Sequence, residues 1–236
     1  MGARRSPPTS CALPTVSVRQ RAGSSEISSV LGSCTVLAAD QKVAVGRSSY
    51  LIIDRETKEC ACVDAAWDTT GLMRVCQALE LNLVAALYTH RHVDHVGGIY
   101  QEGIRIEGLS NLALAGVPAL MGRADVEPTV KACMLGTMSP QIIALDDGDV
   151  IPIGGIKVKA MVTPGHTSGS VCFACGGDVE DDANIEVIIT GDTLFVGAFG
   201  NLENQEAAPQ EMCLLCRPFL LSTDQFSIEI PYYFDC

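Results

Sequence analysis

Thr89-His90-Arg91-His92-Val93-Asp94-His95 places three of the chain's four histidines and one aspartate within six residues. Imidazole nitrogens and carboxylate oxygens at this density suit Zn, Fe or Mn, with Zn–N distances of about 2.0–2.1 Å. A single histidine is more often a core or surface residue than a ligand, so the spacing carries the reading. His90 and His92 stand two apart, and in extended chain they point the same way. Asp94 and His95 follow where the chain turns toward a helix, and they face a second point close by. Ligands converging on two neighbouring points are what a dinuclear centre requires. The pattern differs from the helical H-E-x-x-H arrangement of zinc proteases.

Short apolar runs must deliver these groups. Leu83 to Tyr88 reads as a buried strand, so the polar cluster arrives at its carboxyl end, where α/β folds place ligand-binding loops. Ile156 to Val162 alternates as a half-buried strand and ends at Thr163-Pro164-Gly165-His166, a tight non-helical turn. Glu186 to Thr190 is a third strand, ending at Gly191-Asp192. Three strand ends that each deliver His or Asp are most simply explained by one shared edge. Tyr50 to Ile53 and Cys60 to Val63 flank the polar turn Asp54–Lys58 and predict a hairpin. Asp64–Asp68 follows as a loop. Asp68 or Thr69 is expected to cap a helix running to Leu81, with Leu72, Val75, Cys76 and Leu79 at helical spacing. A second helix is expected to begin near His95. Strands are expected at 118–121, 141–144 and 170–174, and a helix over 124–135. Asp146–Asp149 reads as a turn without the ligand alternation of a calcium loop.

T-H-R-H-V-D-H-V-G-G, T-P-G-H-T (163–167) and T-G-D-T-L-F-V-G (190–197) together resemble the signature of the metallo-β-lactamase superfamily, and especially its glyoxalase II-like branch. The resemblance covers residues 40 to 212. It implies an α/β fold, a four-layer αββα sandwich with metals at one edge of its two sheets. It further implies that His90, His92 and His166 form a first metal site and that Asp94 and His95 belong to a second, with Asp192 bridging. The 64–68 loop falls where the family has an active-site rim.

Composition bounds the alternatives. A chain of 236 residues, 47% hydrophobic and 19% charged, suits one ordered domain with a sizeable core. The net charge of −12 argues against nucleic acid as the principal partner. No run reaches the roughly 18 apolar residues of a membrane span. Residues 1–30 are expected to be a disordered tail, with 31–236 as the metallo-β-lactamase-like domain. Up to residue 29 the tail carries Arg4, Arg5, Arg19 and Arg21 against Glu26 alone, leaving 12 basic and 27 acidic residues, a net of −15, in the rest. This serine-rich, acid-poor start resembles an organellar transit peptide, although Pro7, Pro8 and Pro14 interrupt an amphipathic helix. Met1-Gly2…Ser6 also fits the N-myristoylation pattern. The expected location is cytoplasmic or mitochondrial. The eleven cysteines are scattered rather than framed, and several sit in apolar patterns as small hydrophobes. Cys172/Cys175 and Cys213/Cys216 suggest a zinc ribbon, but Cys172 and Cys175 face opposite sides of a strand.

The activity implied by the resemblance is that of a thioester hydrolase similar to hydroxyacylglutathione hydrolase. Metal-activated hydroxide attacks the thioester carbonyl, Asp94 orients it, and the substrate is a small-molecule thioester, possibly glutathione-linked. Two departures from the family shape the alternatives. After Gly200, where relatives carry a basic residue, this chain has Asn201, Leu202 and Glu203. No histidine follows His166, and Tyr233 in Ile230-Pro231-Tyr232-Tyr233 is the nearest echo of the family's last ligand. The C-terminal end thus reads as divergent or truncated. One alternative is a mononuclear iron oxidoreductase resembling persulfide dioxygenases, using His90, His166 and Asp192. The other is an inactive relative.

Overall fold

Two β-sheets face one another across the main core. The computed structural model describes residues 26–31, 34–40, 48–100, 103–132, 141–181, 185–194, 200–203 and 227–229. The first sheet has seven strands in the order β1 (Glu26–Leu31), β2 (Cys34–Asp40), β3 (Ser48–Asp54), β4 (Glu59–Val63), β5 (Asn82–Tyr88), β8 (Ala119–Gly122) and β9 (Ile142–Leu145). Strands β1 to β4 pair antiparallel; β4, β5, β8 and β9 run parallel. The second sheet runs β10 (Val150–Ile153), β11 (Ile156–Val162), β12 (Val171–Cys175), β13 (Val187–Ile189) and β14 (Ser227–Glu229). A two-stranded ribbon, β6 (Gly98–Ile99) with β7 (Arg105–Ile106), follows the metal-type motif.

Alternation along the strands builds the layers. Ile52, Ala61, Val63, Ala85 and Leu87 point inward and meet Ile153, Val158, Ala160, Val171, Phe173, Val187 and Ile189 of the second sheet. Their neighbours Leu51, Ile53, Cys60, Cys62, Ala86 and Tyr88 point outward. They pack under α1 (Thr69–Ala78), through Leu72 and Cys76, and α3 (Leu109–Leu114), through Leu109 and Leu112. Two further helices are α2 (Val93–Val96) and α4 (Arg123–Ala132), the latter against β8 and β9. The outer face of the second sheet carries Cys172, Ala174, Ile185 and Ile188. Helix, sheet and sheet thus stack in the expected sandwich order. Segments 195–199 and 204–226, which precede β14, lie outside the described residues.

Several sequence expectations are corrected in detail. Helix α1 is capped as expected, with Asp68 Oδ1 accepting from Gly71 N at 2.7 Å. It stops at Ala78 rather than Leu81, because Glu80 takes φ +56° and Leu81 N turns back to Cys76 O. Val75 and Leu79 are exposed, so only Leu72 and Cys76 of the expected stripe are buried. The helix expected near His95 is a single turn ended by Gly97. Strand β1 starts at Glu26, so the sheet takes in the last residues assigned to the tail. The β6–β7 ribbon and α3 were not anticipated; two-residue strands are too short to leave a periodic signal. Cys172 and Cys175 do face opposite sides of β12, one outward and one into the main core. Their supposed partners Cys213 and Cys216 lie outside the described residues, as do the 1–25 segment and Tyr233. No described helix is long and apolar enough to cross a membrane.

Candidate metal centre

The tips of β5, β11 and β13 bring the two sheets together at one edge. Val171 N donates to Thr89 O at 2.8 Å, joining the sheets where the motif loop leaves β5. Across the second sheet, Thr163 and Thr193 hydroxyls meet at 3.0 Å and tie the His166 loop to the Asp192 turn. Asp192 sits in one 3-10 turn, Gly191–Thr193. Gly191 has φ +50°, and a Cβ there would lie 2.3 Å from Thr89 Oγ1, so glycine is what lets this turn close on the motif loop.

Five sequence-predicted residues meet here in two overlapping groups. One ligand-type atom each from His90, His92 and His166 lies within 4.8 Å of the others, and so do those of His90, His95 and Asp192. His166 Nε2 lies 2.9 Å from His92 Nδ1 and 3.5 Å from Asp192 Oδ2. His95 Nε2 lies 3.2 Å from Asp192 Oδ1 and 3.4 Å from Asp94 Oδ2, which brings the sixth residue to the rim of the second group. All but His92 and Asp94 are buried.

The donor set fits a transition metal, because the far side of three of the four histidines is occupied by oxygen. His95 Nδ1 is 3.0 Å from Asp64 Oδ2. His90 Nδ1 is 3.1 Å from Thr89 Oγ1, whose own proton goes to Asp64 Oδ2 at 2.7 Å. His166 Nδ1 donates to Asn201 O at 2.7 Å. Protons held at Nδ1 leave Nε2 of these three rings to face the centre, which is how ligating imidazoles are oriented. Asp64 serves two of the three rings and also accepts from Thr89 N at 2.8 Å.

Electrostatics divides the histidines. Burial, helped by neighbouring His166, Arg91 and His95, lowers the His92 ring to about 4, so it is neutral and able to donate a lone pair. For His95, burial opposes the charge, but Asp64 and Asp192 outweigh it and raise the ring to about 10. The Asp64 and Asp192 carboxylates thus favour a proton on the His95 ring, one that a metal at Nε2 would displace.

Asp64 lies in the loop expected at the active-site rim, but its orienting role, and those of Thr89, Asp125 and the carbonyl of Asn201, were not anticipated. Asp64 follows β4 as Thr89 follows β5, but the sequence shows it only as one acid in a loop. It sits at φ +50°, and Trp67, three residues on, at φ +68°. Trp67 Nε1 donates to Asp94 O at 3.2 Å, which braces the motif loop from its outer side. Asp125 of α4 is buried and accepts from Arg91 N (2.9 Å), Thr167 Oγ1 (2.6 Å) and Gly169 N (3.0 Å). It thereby joins the His90–His92 strand end to the His166 loop.

No family model matches the chain. Among named proteins it is 28% identical over 163 residues to the probable polyketide biosynthesis zinc-dependent hydrolase PksB of Bacillus subtilis, covering 69% of this chain and 62% of that protein. It is 29% identical over 167 residues to a hydroxyacylglutathione hydrolase of Pseudomonas syringae, covering 69% and 52%. The chain therefore spans less than two thirds of either relative. Among solved structures, a metallo-β-lactamase from Staphylococcus aureus superimposes with a TM-score of 0.65 at 23% identity, over 84% of this chain and 55% of that one. At that identity the likeness speaks for the fold.

Proposed function

We propose that this chain, which belongs to the metallo-β-lactamase superfamily, is a metal-dependent hydrolase acting on small-molecule thioesters. The observation that carries the reading is the convergence of His90, His92, His95, His166 and Asp192 on one sheet edge. The similarity to a hydroxyacylglutathione hydrolase favours the thioester class. His90, His92 and His166 would hold one ion, and His95, Asp94 and Asp192 a second beside it. Zinc fits the nitrogen-rich set, and iron or manganese are compatible with it. A metal in this cage supplies Lewis acidity and hydroxide-strength nucleophilicity at neutral pH.

The chain's own residues prepare the reaction. Asp94, at the rim beside His95, is placed to accept a proton from the attacking water and to orient it. Trp67 fixes the Asp94 backbone, so the carboxylate approaches from a set direction. Asp64 keeps His90 and His95 turned inward. The leaving thiolate needs no general acid, since its conjugate acid has a pKa of about 8.5. S-lactoylglutathione hydrolysis with added Zn, Fe or Mn tests this reading. His92→Ala should abolish turnover, and an unchanged rate would end the proposal.

A second reading has its own observation. His166 Nε2 lies 3.5 Å from Asp192 Oδ2, and His90 shares a ligand group with each of them, so these three residues offer a two-histidine, one-carboxylate set. Such a triad suits mononuclear iron chemistry with oxygen. Oxygen consumption with glutathione persulfide and one iron per chain would favour it over the hydrolase.

A further inference from the structure

We propose that Arg91 and Glu203 form a latch that closes the second half of the metal centre onto the first, so that metal retention depends on ionic strength. The proposal rests on the reading of this site as a metal centre. His90, His92 and His95 come from the first sheet, His166 and Asp192 from the second. Residues 200–203 lie against both members of the second half. A Cβ on Gly200 would stand 2.0 Å from Asp192 O and 2.9 Å from His166 Nδ1, so the bare backbone touches both. Asn201 O takes the His166 Nδ1 proton, and Glu203 N donates to Gly165 O at 3.0 Å. This short segment therefore sets the orientation of His166.

Glu203 then reaches across to the first half. Its carboxylate pairs with the guanidinium of Arg91, the residue between His90 and His92. Arg91 is anchored from behind, with its backbone N on buried Asp125 and its Nε 3.9 Å from the same carboxylate. The charge is thus presented from a fixed base. The two side chains are 25% and 33% exposed, so mobile ions can reach and screen them. Glu203 has a second effect in the same direction. It offsets a cation flanked by two metal-binding histidines, and a guanidinium left with Asp125 alone would repel an incoming divalent ion more strongly.

Zinc affinity, measured on the full chain by competition with a chromophoric chelator at about 0.1 M and about 1 M salt, tests the latch. Glu203→Gln should weaken zinc binding by about three- to tenfold at the lower salt, between the small effect of an exposed ion pair and the 10–100-fold of a direct ligand partner. Its affinity should then change little with salt, whereas the wild-type affinity falls. In the Arg91→Gln background, Glu203→Gln should have no further effect. Glu180→Gln, which breaks the Lys157–Glu180 pair at the start of β11, should behave as wild type. Wild-type affinity in Glu203→Gln, or an effect that persists undiminished without Arg91, would overturn the latch. A wild-type chain that binds no zinc would overturn the metal reading and the latch with it.

Discussion

Asp64 stands 3.0 Å from Nδ1 of His95, and the same carboxylate oxygen receives the hydroxyl of Thr89. One acid thus sets the orientation of two inward-facing imidazoles without facing the centre itself. Asp64→Ala should lower zinc affinity about 10–100-fold, the usual cost of removing such an outer partner. Zinc titration of the folded variant measures this, and an affinity within twofold of wild type would remove Asp64 from the site.

The two perturbed histidines predict opposite pH limbs for the metal-free chain. His95 has its folded pKa raised to about 10 from 6.5. Its stabilising contribution is complete below 6.5 and is lost as pH rises through about 10. His92 is lowered to about 4. Its unfolded ring takes a proton near 6.5 while the folded ring does not, so stability is lost as pH falls from 6.5 toward 4. Each limb is at most about 1.4 kcal/mol per pH unit. Thermal melts in chelator should therefore peak near neutrality. Zinc uptake at pH 7 should also release a proton from His95, seen as a binding enthalpy that varies with the buffer. A buffer-independent enthalpy would show that the ring was already neutral.

Asp125 links strand end and loop through three donors, and its own carboxyl is pushed up by burial against the pull of Thr167, Arg91 and Gly169. Asp125→Ala would strand those donors in a dry environment, at about 1–3 kcal/mol for each that finds no water. The expected outcome is a loss of about 3 kcal/mol in denaturant unfolding together with weakened zinc binding. Unchanged stability would mean that water replaces the carboxylate fully.

The candidate ligands were legible because each follows an apolar strand, and the abrupt change from buried to polar marks a strand tip. What surrounds them was not. Asp64 lies beside Thr89 only because β4 and β5 run parallel, with Val63 opposite Leu87. That neighbourhood is a matter of topology, not of local pattern. Asp125 reaches Arg91 and Gly169 across 34 and 44 residues. Helix α1 ended early for a reason no periodicity carries, the left-handed backbone at Glu80. Buried cysteines were better predicted. Cys62 and Cys172 lie in the core with their thiols raised by burial, Cys172 to about 11, as hydrophobes in strands should be.

The chain has one tryptophan, and its indole N–H rests on the carbonyl of Asp94. Nature has thereby wired a fluorophore to the loop that carries Asp94 and His95. Emission from Trp67 reads that loop directly, free of background from any other indole, and a paramagnetic ion seated among the histidines would quench it at close range. Occupancy by such an ion can be followed by light alone, in the unmodified chain and without substrate.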